Sequence, residues 1–236
     1  GKAFHPFTRG FKKHFDVLLH NTMVKTMKYL CENIQGCVLG YTQSDEITLV
    51  LVDYQNIDTC AWFDNNLQKM SSISASMATY AFNKYFSEAV WEEEASWKCG
   101  FTPQSCEIQK EHSDYMNALN KAKNQGALFD SRVFNLPKEE VINCLIWRQQ
   151  DATRNSIQAA GQYYFSHKEL QGKSCNDIQD MLFKEKKVNW SEDYATVFKR
   201  GCCCIKVITS EATLEGEVVR PYWKIDTEIP IFTQDR

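Results

Sequence analysis

Between residues 11 and 32 the apolar positions Phe15, Leu18, Leu19, Met23, Met27 and Leu30 recur every three or four residues. That spacing puts them on one face of a predicted helix. Gly36 interrupts the pattern. Two short runs rich in β-branched residues follow, 37–41 and 47–52, joined by the polar stretch Thr42, Gln43, Ser44, Asp45 and Glu46. This is a hairpin pattern, with the two acids at its tip or on the start of its second strand. Asp58 and Thr59 are suitable N-caps for a long helix to about Phe86, carrying Trp62, Phe63, Leu67, Met70, Ile73, Met77 and Phe82. The acidic run 91–94 and the stretch 100–103 predict loop or short helix across 87–125, and 129–136 reads as a strand stopped by Pro137. Pro137 with Glu139 and Glu140 then opens a helix that continues, with one break near Gln150, to about Ser166, because proline and acids suit a first turn. Ser174 caps another helix to Lys187, and 202–209 with 217–225 form a late hairpin.

The order of elements predicts an α+β fold. If one strand preceded Gly1, the first part would be a ferredoxin-like βαββαβ unit of the kind that forms a polymerase palm, so the first strand is expected to be clipped from the chain. The expected division is a palm-like core over 1–136 and a helical and hairpin part over 137–236, packed together as one compact unit.

Composition narrows the function classes. With 236 residues, 43% of them hydrophobic, the chain can bury a substantial core. A net charge of -3 gives no bulk attraction to nucleic acid, so any RNA contact must come from local clusters such as Lys12-Lys13, residues 184–187 and Lys199-Arg200. No apolar run approaches the ~20 residues of a bilayer span, and no charged-then-apolar leader opens the sequence. Ten cysteines, three of them contiguous at 202–204 and none in zinc-type spacing, point to a reducing cytoplasm rather than to disulfides or structural zinc.

Asp45-Glu46 is the central chemical feature, since adjacent carboxylates on a rigid turn can hold hard divalent cations and leave positions for phosphate. An ordinary solvated turn also carries such pairs. Taken as bare sequence, His5 is a partly packed surface histidine and Lys13 a solvated one. Arg148 and Asp151, three apart on a helix, read as a structural ion pair worth a few tenths of a kcal/mol.

The surroundings of the acidic pair add specificity. The run Tyr41-Thr42-Gln43-Ser44-Asp45-Glu46 closely resembles the signature of the tRNA-histidine guanylyltransferase family, which includes bacterial, archaeal and phage-type 3′-to-5′ polymerases. Further blocks resemble it in the same order: Gly1-Lys2-Ala3-Phe4-His5-Pro6-Phe7, Phe11-Lys12-Lys13 with Asp16, Trp62-Phe63, residues 129–133, residues 147–151 and Lys199-Arg200-Gly201. The resemblance implies a palm fold and two Mg²⁺ ions, with ATP or GTP activating a tRNA 5′ end that then receives a nucleotide. It implies Asp45 and Glu46 as catalytic metal ligands, joined by the Gly1 backbone carbonyl. It implies nucleotide contacts from Lys2, Ala3, Phe4, His5, Lys13, Asp16, Ser44 and Lys69, and RNA contacts from Arg132, Asn155, Lys199 and Arg200. A homotetramer or dimer is implied as well.

Three departures qualify it. Asn65 and Asn66 stand where the family has arginines near the phosphates. Residues 153–156 read Thr-Arg-Asn-Ser instead of the eukaryotic His-Ile-Asn-Asn, which resembles the members that repair tRNA 5′ ends by templated addition. The family's first metal aspartate would fall immediately before Gly1. A catalytically inactive nucleotide- or RNA-binding protein on the same fold is the alternative that this last departure leaves open.

Overall fold

The structure is a computed structural model that describes residues 1–99, 106–213 and 216–234. Two compact units divide the chain, the first made of residues 1–38 and 51–134 and the second of 39–50 and 135–236.

The first unit is helical: α1 (Phe4–Phe7), α2 (Val17–Asn33), α3 (Leu67–Cys99) and α4 (Cys106–Gln125). Helix α2 starts later than the apolar spacing suggests, because Asp16 is its N-cap, with Oδ1 accepting from the Leu19 amide at 2.9 Å. Phe11 lies outside the helix yet is buried, stacked on Phe86 at 5.9 Å. With Phe4, Phe7, Phe82 and Phe129 it forms an aromatic cluster whose neighbouring ring centroids lie within 6 Å. Helix α3 does not begin at Asp58 or Thr59. Phe63, Asp64 and Asn65 all have positive φ, which an α-helix cannot accommodate, and the Asn66 side chain then caps α3 by accepting from the Lys69 amide at 3.1 Å.

The stretch expected as loop or short helix over 87–125 is mostly long helix; its 100–103 portion lies outside the described residues. Val90, Tyr115, Leu119 and Ala122 are buried, so the acidic run 92–94 sits on a helix that buries its other face. Residues 129–136 form no strand. Instead, Asn83 exchanges two hydrogen bonds with the backbone of Ala127, the Thr79 hydroxyl accepts from the Phe129 amide, and the Ser71 hydroxyl donates to the Ser131 carbonyl. Side chains of α3 thus satisfy the backbone groups that a neighbouring strand would otherwise pair.

The second unit contains a four-stranded antiparallel sheet of β1 (Cys37–Gln43), β2 (Glu46–Leu51), β3 (Cys202–Thr213) and β4 (Gly216–Asp226), in the order β2-β1-β3-β4. Strand β1 therefore pairs with a strand from the C-terminal part of the chain, Leu39 opposite Ile205 and Tyr41 opposite Cys203. Helices α5 (Val141–Tyr164), α6 (His167–Leu170), α7 (Cys175–Lys186), α8 (Trp190–Asp193) and α9 (Thr196–Arg200) belong to the same unit, and α5 runs through Gln150 without the expected break. Ser174 and Asp177 form a reciprocal capping box at the start of α7. Ile157, Ala160, Phe165, Ile178 and Leu182 build one core cluster, and Tyr41, Leu145, Cys203 and Ile229 build another. Among the described residues, no helix is long and apolar enough to cross a membrane.

Candidate active site

The hairpin β1–β2 turns through Ser44 and Asp45, with Ser44 at φ 50°, a conformation more usual for glycine in a two-residue loop. The Thr42 hydroxyl donates to the Glu46 carbonyl at 2.8 Å and closes the turn from inside. Asp45 lies at the tip, its Oδ1 accepting from the Ser44 hydroxyl at 3.3 Å, and Glu46 opens β2. The Oε2 oxygen of Glu46 accepts from Gln43 Nε2 at 2.9 Å and from Arg148 Nη1 at 2.8 Å.

The base of the hairpin is anchored to α9. The buried Tyr41 hydroxyl donates to the Arg200 carbonyl at 2.6 Å. Burial, and the neighbouring Cys203 and Cys202, push that phenol well above its ordinary ionisation, so it stays a donor. Gly201 has φ 78°, and a Cβ there would lie 2.3 Å from the Thr42 carbonyl oxygen. Only glycine lets the chain pass this close to β1.

Arg148 does not pair with Asp151 as expected. Arg154 takes Asp151 Oδ1 at 2.7 Å and Asn155 donates to Oδ2 at 3.2 Å, while the Arg148 guanidinium lies over the Trp147 ring at 4.1 Å and reaches Glu46. The local charge pattern held a clue, because Asp151 has a second arginine three residues on and so did not require Arg148. Gln43, inside the signature, carried no sign of its grip on Glu46.

In the first unit, Gly1, Lys2, Ala3, His5, Lys13 and Lys69 are exposed. The Lys2 amide donates to the Leu128 carbonyl at 2.8 Å, and Ala3, at φ 56°, precedes α1. Phe4 points inward, buried against Phe7, Phe82 and Phe129, so its side chain serves the core. Asp16 is buried as well. Its second oxygen accepts from the Lys12 amide and from the Tyr115 hydroxyl, both at 3.0 Å, so both carboxylate oxygens are engaged within the unit. The Lys69 ammonium lies 5.9 Å from the Phe63 ring, and Asn65 donates to Asp53 at 3.1 Å.

Of the residues expected to meet RNA, Arg132 and Asn155 are exposed. Lys199 is buried: its ammonium donates to the Ser191 carbonyl beside the Trp190 ring, and burial lowers its proton affinity. The Arg200 Nε is buried without a hydrogen-bond partner. In the segment 153–156, Thr153 donates to the Lys199 carbonyl at 3.2 Å and Ser156 accepts from the Trp190 indole at 3.1 Å, leaving Arg154 and Asn155 facing outward.

Two adjacent carboxylates are a hard-oxygen donor set. Among the described residues, no three His, Cys, Asp or Glu side chains cluster for a metal. Mg²⁺ takes only one or two carboxylates from a protein and completes its shell with water and phosphate, so the pair fits that ion.

The family model described as Thg1, tRNAHis guanylyltransferase, matches residues 1–137. The chain belongs to the Thg1 family. As a Thg1 member it is a nucleotidyltransferase of the 3′-to-5′ kind on a palm-like α+β fold. A bacterial tRNA(His) guanylyltransferase (Thg1)-like protein in complex with ATP is similar to it at 37% identity and a TM-score of 0.75, over 100% of this chain and 83% of that one. A GTP complex of a bacterial Thg1-like protein gives 34% and 0.71, over 100% and 82%. The tRNA(His) guanylyltransferase of Saccharomyces cerevisiae shares the Thg1 fold at 20% identity and a TM-score of 0.62, over 93% and 84% of the two chains.

Proposed function

We propose that the chain is a Mg²⁺-dependent 3′-to-5′ nucleotidyltransferase that activates the 5′ end of a tRNA with ATP or GTP and adds nucleotides to it. One observation carries this reading: the six-residue signature 41–46 forms a closed hairpin that presents Asp45 at its tip and a fixed Glu46 beside it. Asp45 and Glu46 would hold the metal. When bound, two such cations neutralise phosphate charge and lower the proton affinity of an attacking hydroxyl.

The protein's own residues bind and orient. Ser44 contributes a hydroxyl for a phosphate oxygen, while His5, Lys13 and Lys69, exposed in the first unit, are the nucleotide contacts that the family resemblance implies. Lys2 and Ala3 contribute backbone contacts. Asn65 and Asn66, taken up in binding Asp53 and capping α3, supply no positive charge, so the triphosphate is held with fewer cations than the family's arginines give. Arg132, Asn155 and Arg154 are the exposed polar groups for RNA, and none of them is a base-reading set. A template strand therefore selects the incoming nucleotide, in keeping with Thr153-Arg154-Asn155-Ser156 in place of the eukaryotic motif.

The test is incorporation of labelled nucleotides by the purified protein, with Mg²⁺, into a tRNA lacking its 5′ nucleotide. Template-matched extension that Asp45→Ala abolishes, with an unchanged circular dichroism spectrum, is the expected result. Tight tRNA binding without incorporation would replace the enzyme with a binding protein on the same fold.

A further inference from the structure

We infer that Arg148 is a positioning residue for the acidic hairpin: together with Gln43 it fixes one oxygen of Glu46 and divides the two adjacent carboxylates into unequal partners. The inference rests on the metal reading above and adds to it a residue whose sequence context suggested only a local ion pair.

Glu46 opens β2 with its side chain 47% exposed, a setting in which a glutamate normally samples several rotamers. Here its Oε2 takes two donors, Arg148 Nη1 at 2.8 Å and Gln43 Nε2 at 2.9 Å, one of them charged. The donors are themselves held. Gln43 is buried in β1, and the Arg148 side chain is only 21% exposed, stacked on Trp147 at 4.1 Å. Its nearest local acid, Asp151, is already taken by Arg154 and Asn155. Arg148 thus crosses 102 residues of sequence to neutralise Glu46 rather than pairing on its own helix.

Two consequences follow. Glu46 keeps one oriented oxygen for a cation, and the guanidinium lessens the negative charge that the hairpin offers, so a cation binds more weakly but in a defined geometry. Loss of Arg148 therefore changes binding and turnover in opposite directions, which a residue that merely supports the fold does not do.

The experiment compares wild-type, Arg148→Ala and Arg148→Lys proteins, reading Mn²⁺ binding by paramagnetic resonance and nucleotide addition under saturating Mg²⁺. Arg148→Ala should bind Mn²⁺ about three- to tenfold more tightly, because a nearby positive charge is gone. Its kcat should fall about tenfold or more as Glu46 loses its orientation, with KM for nucleotide little changed. Arg148→Lys should restore the Mn²⁺ affinity but only part of kcat, since an ammonium lacks the planar fork that stacks on Trp147. Unchanged Mn²⁺ binding in Arg148→Ala, or weaker binding with lower turnover, overturns the inference. Should Arg148→Ala fail to fold, Gln43→Met removes the uncharged donor alone. It should lower kcat without tightening Mn²⁺ binding, and wild-type kcat there overturns the inference too. Wild-type Mn²⁺ binding that Asp45→Ala leaves unaltered overturns the metal reading itself, independently of how Arg148→Ala behaves.

Discussion

Asp16 and Ser44 were both expected to meet the nucleotide, and their surroundings separate them. Asp16 spends both carboxylate oxygens on the Leu19 and Lys12 amides and the Tyr115 hydroxyl. Burial and this carboxylate together hold the Tyr115 phenol well above its ordinary ionisation. Asp16→Ala is expected to destabilise the protein by about 1–3 kcal/mol, through a lost cap and an orphaned hydroxyl. The urea midpoint reads that loss directly. Asp16→Asn keeps a capping oxygen and should leave ATP affinity within about twofold of wild type; a large drop in that variant would return Asp16 to the nucleotide site. Ser44 is exposed and held at φ 50°, where a side chain costs on the order of 1 kcal/mol. Ser44→Gly should raise the melting temperature by a degree or two while weakening ATP binding. A rise in stability with no change in binding would remove Ser44 from the nucleotide contacts.

At the scale of elements, helices α2, α3, α5 and α7 and all four strands were visible in the sequence because they obey local rules. Ser174 with Asp177 is a capping box whose spacing can be read directly, and the 37–52 hairpin has the expected period and turn. The misses occurred where a distant partner decides the outcome. The apolar residues of 129–136 look like a strand, yet α3 supplies Asn83, Thr79 and Ser71 to satisfy the adjoining backbone. Helix α4 was hidden because its mean polarity is high and its buried face, with Tyr115, Leu119 and Ala122, is narrow. Within Lys199-Arg200-Gly201, the glycine is the member that lets the chain pass β1, a role that only the packing reveals. Gly201→Ala would drive a methyl to 2.3 Å from the Thr42 carbonyl at φ 78°, so we expect a loss of about 2–4 kcal/mol and reduced nucleotide addition through the displaced hairpin. Thermal unfolding of the variant checks this, and a melting temperature equal to wild type would contradict the packing described.

Across the whole chain, the same division between local and distant holds for the candidate site. The acidic pair and its turn sit within six residues and were legible as a signature, but the bonds that set them in place span 102 residues from Arg148 to Glu46 and 159 from Tyr41 to Arg200. Strand β1 also pairs with β3, where Cys202 and Cys203 lie buried opposite Thr42 and Tyr41. Burial pushes both thiols up from the ordinary value of 9.0 to about 12. The sign of the effect on stability follows from linkage. The unfolded chain releases these protons first, near pH 9, so the folded state is fully favoured below that pH and loses ground as the pH rises toward 12. Each thiol costs the folded state roughly 1.4 kcal/mol of stability for every pH unit climbed inside that window. Tyr41 and Tyr115, also raised by burial, act in the same direction. Urea midpoints should therefore be flat from about pH 7 to 8.5 and fall steeply from pH 9 to 11, with a shallower fall in Cys203→Ala measured against its own value at pH 8. A wild-type profile that stays flat to pH 11 would mean that the strand carrying these thiols is not buried against β1 in solution, and the hairpin would lose the support on which its geometry depends.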